Sequence, residues 1–191
     1  MDRISFQNKV REMSEKKPRL FALESDAKVD IEKIEDVEKY YDIILPDSYK
    51  DFASQYGGGY FGFIVVYSCD CNGMFYIKDN VLKEWVIEKS FFPVVDLETG
   101  DFLGFEIDAG ICKSKVTLYS HEEEALQGMQ MDFYEALLKY GLENITVEIL
   151  EKDIPLEKLD EREQFYLDTL QPFDDNGYNI CREASTTRGR K

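Results

Sequence analysis

Three consecutive glycines, Gly57-Gly58-Gly59, restrict the fold of this chain more than any other feature. Glycine adopts positive φ without steric cost, so such a run stops a helix and permits a tight reversal. A helix precedes it. Pro46 suits a first helical position, where its missing N–H is not needed, and Tyr49, Phe52, Ala53 and Tyr56 follow at helical spacing. Tyr49 and Phe52 lie three apart and share a face. Residues 60–67 are aromatic and β-branched, the composition of a buried strand. Upstream, Ile31, Ile34, Val37 and Tyr41 place an apolar stripe on another helix that Asp30 can cap and that ends near Asp42.

The remaining elements are less emphatic. Residues 3–16 carry Ile4, Phe6, Val10 and Met13 on a loose stripe, predicting a weak helix that ends before Pro18, with residues 17–28 as a linker. A short strand is expected at 74–77, and a strand or helical turn at 85–87. Residues 91–97 and 102–107 flank Glu98-Thr99-Gly100-Asp101, a hairpin turn. A strand is expected at 116–119. Residues 122–142 read as helix, with Phe133, Leu137 and Leu138 apolar, a break at Gly128 and a stop at Gly141. His121, with Ser120 before it and Glu122-Glu123-Glu124 after it, reads as the start of that helix. Further on, 146–150 alternate as a strand, Pro155 opens a helix through Leu170, and Asp174-Asp175-Asn176-Gly177 turns into Tyr178-Asn179-Ile180. Residues 182–191 form a basic tail, expected to be disordered.

Charge bears directly on partners. The 191 residues hold 23 Lys plus Arg against 39 Asp plus Glu, for a net −16. The last ten residues, with four basic groups and one Glu, carry +3, which leaves −19 on the first 181. Such a surface repels phosphate backbones and attracts basic proteins. Nucleic acid is therefore not an expected partner of the main body. With 43% hydrophobic and 14% aromatic residues, the chain can bury a proper core. Residues 1–20 are dense in charge and no run reaches the ~18 apolar residues of a membrane span. The expectation is a cytoplasmic chain without membrane contact. Of the four cysteines, Cys69 and Cys71 lie close together, but no second close pair completes a zinc site. A reduced, structural role is expected, with redox or metal binding as the alternative. A single histidine excludes mechanisms that need two.

The run Ile31-Glu32-Lys33-Ile34-Glu35-Asp36, then Leu45-Pro46-Asp47-Ser48-Tyr49-Lys50-Asp51-Phe52, then Gly57-Gly58-Gly59 resembles the SUKH superfamily, which includes the yeast Smi/Knr cell-wall regulators. Phe92-Pro93-Val94-Val95-Asp96-Leu97 and a closing helix with Phe133 continue the likeness to about residue 142. Ile34, Leu45, Pro46, Tyr49, Phe52, Gly57, Gly58 and Gly59 carry the signature, and each reads as a maker of the fold. The resemblance implies an α+β domain over 29–144, a mixed sheet with flanking helices, preceded by an N-terminal helix and linker over 1–28. It also implies binding in place of catalysis. Bacterial members look like immunity proteins that neutralise a cognate toxin, often a nuclease and hence basic, and no cofactor is expected. A regulatory scaffold of the Smi/Knr type is a further reading.

Residues 145–181 carry a different likeness. Thr146-Val147-Glu148-Ile149-Leu150-Glu151, the run Leu159-Asp160-Glu161-Arg162-Glu163-Gln164-Phe165-Tyr166-Leu167-Asp168, and Gly177-Tyr178-Asn179-Ile180 resemble the C-terminal part of the GIY-YIG nuclease domain. That resemblance implies a small strand–helix–strand appendage, Glu163 as a divalent-metal ligand and Asn179 as a support of the site. Mg²⁺, which prefers hard oxygen donors, would be the cofactor of such a nuclease. The family's first half, with its tyrosine-bearing strands and arginine, is absent. The segment then reads as a remnant, a docking element or half of a split nuclease.

Overall fold

Phe6 decides how the N-terminal helix is used. In the computed structural model, Asp2 caps helix α1 (Arg3–Lys16) by accepting the Ser5 N–H at 2.9 Å. Phe6 is fully buried, with ring centroids 4.5 Å from Tyr134, 5.8 Å from Tyr56 and Phe61, and 6.4 Å from Phe52. The expected linker is also built in. A 3-10 turn at Pro18–Phe21 buries Leu20, and β1 (Ser25–Asp26) pairs with Gly58 and Gly59 at the start of the next strand. A strand of two residues leaves no alternation to read in sequence.

The structure describes residues 1–143, 148–173 and 182–184. The chain divides into two compact units, Met1–Thr146 and Val147–Lys191.

In the first unit, Asp30 accepts the Lys33 N–H at 3.3 Å to open α2 (Ile31–Tyr41), which buries Ile34, Val37 and Tyr41. Glu38 then ties α2 to the next helix, because its carboxylate accepts the Leu45 N–H at 2.7 Å and meets Lys50 Nζ at 2.5 Å. Helix α3 (Asp47–Tyr56) follows Pro46 and stops at Gly57, where φ is +82°. The glycines are needed for close approach as much as for turning. A Cβ at Gly57 would lie 2.4 Å from the Asp26 carbonyl oxygen, and one at Gly58 2.5 Å from the Ser68 Cβ. Residues 60–67 are not one strand. They form a hairpin of β2 (Gly58–Phe61) and β3 (Ile64–Val66), turned at Gly62.

Residues 74–77 form no strand of the sheet beyond the isolated bridge Ser68–Tyr76, and the chain coils into α4 (Ile77–Asn80). Residues 85–87 lie within α5 (Lys83–Lys89). The expected hairpin forms from β4 (Phe91–Asp96) and β5 (Phe102–Asp108), with a bulge between Pro93 and Val95. Next come β6 (Ile111–Cys112), β7 (Lys115–Ser120) and β8 (Ala125–Asp132). The last corrects the helix expected from residue 122. Helix α6 (Phe133–Leu138), opened by an Asp132–Glu135 capping box, begins only after β8. Pairing with β7 overrides the helix propensity of the Glu and Met residues there. His121 accordingly sits in the β7–β8 turn and starts no helix.

The sheet runs β1-β2-β3-β4-β5-β7-β8, with β6 on β5, and every one of these pairings is antiparallel. Parallel geometry occurs at the isolated bridges Ile44–Ile111 and Ser68–Tyr76. The α+β architecture expected from sequence stands. Neighbouring residues of a strand face opposite sides, and β4 uses both. Phe92 meets Tyr41 of α2 at 5.0 Å, whereas Phe91 meets Trp85 of α5 at 6.1 Å. The main core lies on the Phe92 side, where Phe133 of α6 reaches Phe105, Phe52 and Tyr49.

In the second unit, Pro155 leads through a 3-10 turn into α7 (Leu159–Leu170), as expected. The expected strand at 146–150 is not present over 148–150, and residues 144–147 lie outside the described residues, as do 174–181 with the expected turn and Asn179. Most of the basic tail, 185–191, is also outside them. Among the described residues, no helix is long and apolar enough to cross a membrane.

Candidate partner-binding surface

The Trp85 side of the sheet carries the most developed surface feature. The indole projects from the short helix α5, between an exposed Leu82 and a buried Val86, and meets three rings of the sheet. Its centroid lies 5.1 Å from Tyr119, 6.1 Å from Phe102 and 6.1 Å from Phe91. Phe102 and Tyr119 are directly opposite on β5 and β7, so register puts them on one face. Together with Val81, Leu82 and Pro93 they line a mostly apolar pocket of about 290 Å³. Leu82 stays 74% exposed at its mouth.

The polar side chains that line the pocket are Asn80 and His121, and glutamates stand on the elements that flank it. His121 lines it from the β7–β8 turn, and both its backbone N–H and its Nδ1 meet Asp101 Oδ1, at 2.9 and 2.8 Å. These contacts, the backbone bond foremost, hold the Asp101 carboxyl below the usual carboxylate range. Gly100 makes room, since a Cβ there would press to 3.0 Å of the imidazole. Glu122, Glu123 and Glu124 follow His121 and are all exposed, as are Glu98 in the adjoining hairpin turn and Glu84 and Glu88 on α5. The lysines of α5 are engaged, Lys83 with the Tyr40 carbonyl and Lys89 with Glu88 at 3.0 Å. The arrangement has no nucleophile beside a base. What it can do is receive an apolar or cationic side chain between aromatic walls, with glutamates on the flanking elements.

The residues singled out in sequence lie elsewhere. Ile34, Leu45, Pro46, Tyr49, Phe52, Gly57, Gly58 and Gly59 are all buried. Tyr49 donates its hydroxyl to the Tyr67 carbonyl at 2.8 Å, and burial pushes its pKa well up. These are positions of the scaffold. In the second unit, Glu163 is exposed on α7, and its neighbour Arg162 binds Glu151 at 2.6 Å. Among the described residues, no group of three or more His, Cys, Asp or Glu side chains is placed to hold a metal ion. The pocket itself was missed in sequence, although a lone Trp beside exposed Leu82 and Ile87 on a charged helix was a usable signal.

The described cysteines, Cys69, Cys71 and Cys112, are all free, but they differ. Cys69 and Cys112 are buried, with thiol pKa values pushed up to about 11 and about 12 by desolvation, while Cys71 is exposed. Cys71 is therefore the one of the three open to reagents. A pulse of iodoacetamide at pH 8 should label Cys71 and spare the other two until the chain is unfolded, because the thiolate is the reactive form. Peptide mapping by mass spectrometry reads the order, and labelling of Cys112 at the same rate would contradict its burial.

No curated protein matches the chain. A family model described as SMI1-KNR4 cell-wall matches residues 31–137, a span from the first turn of α2 to the end of α6 that includes the pocket. The chain therefore belongs to the SMI1-KNR4 family of the SUKH type.

Proposed function

We propose that this chain is an immunity protein: a binder that neutralises a basic toxin by covering it, with no chemistry of its own. Family membership fits an immunity-type or Smi/Knr-like role. The observation that carries the finer reading is the aromatic-walled pocket, with exposed glutamates on the elements that flank it. An arginine or lysine of the partner can lie over Trp85, where a desolvated cation–π contact contributes about 2 kcal/mol, and the net charge of −16 steers a basic surface toward it. A toxin that acts on nucleic acid has such a surface, and covering it blocks the substrate.

Co-expression with the product of the neighbouring gene tests the reading. That product should arrest growth alone and be tolerated with this chain. Trp85→Ala should weaken the complex by about 30-fold or more, the scale of a buried aromatic hot spot, and raised salt should slow association. A harmless neighbour, or full affinity without the indole, would sink the proposal. Mg²⁺-dependent nicking of a plasmid by the intact chain, lost in Glu163→Ala, would replace it with the nuclease reading.

A further inference from the structure

We infer that β8 is a docking edge, to which an extended basic segment of a partner protein adds as the next strand, antiparallel to β8 and with its C-terminal end beside Glu122-Glu123-Glu124. The inference rests on the reading of this chain as a partner-binding protein.

Strand β8 is eight residues long and stands at the end of the sheet order, paired on one side with β7. A free strand edge offers alternate N–H and C=O groups to any extended chain, and proteins usually blunt it with lysine, proline, brevity or a bulge; here the β7–β8 ladder is regular over Ala125–Gly128 and shifts register before Asp132. The opposite edge, β1, is two residues long. Residues 125–131 contain no charged residue and no proline. Leu126, Gln127, Gly128 and Gln130 are exposed, and among the described residues no strand pairs with β8 on its outer side.

Register joins the edge to the pocket. Leu126 lies opposite Tyr119, and Tyr119 opposite Phe102, so the three side chains run across one face of the sheet from the pocket to the rim. A strand added beyond β8 continues that row, and its side chain opposite Leu126 extends the apolar surface that Trp85 begins. Strand addition of this kind draws affinity from main-chain bonds and selectivity from alternate side chains.

Charge orients the occupant. The turn before β8 holds three exposed glutamates, one of which, Glu123, also accepts from the Gln127 side chain at 2.8 Å. At the far end Asp132 is matched by Lys115 at 2.7 Å. The negative potential is therefore concentrated at the Ala125 end, where an antiparallel segment places its C-terminal residues. A second copy of this chain fits less well, since each copy carries −16.

A ten-residue peptide that alternates threonine and valine and ends in three lysines serves as the probe, with a comparator carrying the lysines at its N-terminus. Titration of the full chain should give about tenfold tighter binding for the first peptide at low salt. Hydrogen exchange should slow at alternate amides of β8, and N-methylation of the peptide in one of its two registers should abolish binding. Leu126→Lys with Gln130→Lys should weaken the peptide at least about tenfold while exchange in β4 and β5 stays as in the wild type. Equal binding of both peptides, no slowing in β8, or a wild-type dimer that the double variant dissociates would each overturn the inference. A toxin bound through the Trp85 pocket without protection of β8 would overturn this inference and leave the proposed function standing. Peptide addition with no toxin found would do the reverse.

Discussion

Phe6→Ala lowers the folding stability of the chain by about 3–5 kcal/mol, the range for removing a fully buried aromatic ring. The ring is 0% exposed and touches four others, from α3, β2 and α6. Its loss leaves a void between elements that cannot readily close on it, because Tyr56 and Phe52 are themselves stacked at 5.0 Å and Phe61 is fixed in the hairpin at Gly62. Ile4, on the same helix but 67% exposed, is the control, and Ile4→Ala should change stability by no more than about 0.5 kcal/mol. Urea titration followed by near-ultraviolet dichroism reads both. If Phe6→Ala cost less than about 1 kcal/mol, α1 would be a loosely attached appendage.

That contrast shows why parts of the fold were legible and others were not. Helices α2 and α3 announced themselves because capping, periodicity and the glycine stop agree within one short stretch. α1 was legible as a helix but not as a part of the core, since a stripe of four apolar residues does not reveal that one of them fills an aromatic cage. β8 was misread because Glu122-Glu123-Glu124 and two methionines favour helix locally, while the pairing with β7 that decides the matter is a tertiary contact. The pocket was illegible for a related reason. Trp85, Phe102 and Tyr119 come from three elements, and only strand register brings the last two onto one face. The signature residues were easy to find because they are buried and build local structure. The surface that could select a partner is assembled from what lies between them.

Asp26 supplies the second large effect. In sequence it falls within an apparent linker, yet its carboxylate organises residues 68–77. Oδ1 accepts the Met74 N–H at 2.9 Å, and Oδ2 accepts the Ser68 hydroxyl at 2.6 Å and the Phe75 N–H at 2.9 Å. Asp26→Ala strands a partly buried hydroxyl and backbone donors together and should cost about 2–4 kcal/mol, since bonds to a charged acceptor are among the stronger ones. Asparagine should rescue little. Both oxygens receive donors, so either orientation of the amide turns its NH₂ against an N–H. Gly73 gives an internal check. A Cβ there would lie 2.1 Å from Asp26 Oδ2, so Gly73→Ala should be destabilising in the wild-type chain. Once Asp26 is alanine the clash is gone, and the second substitution should then be nearly neutral. The double-mutant cycle should show a coupling of about 1–2 kcal/mol. Simple additivity would mean that the carboxylate does not hold this loop, and that its anchoring lies in Ser68 and its backbone bonds to Phe75 and Ile77 alone.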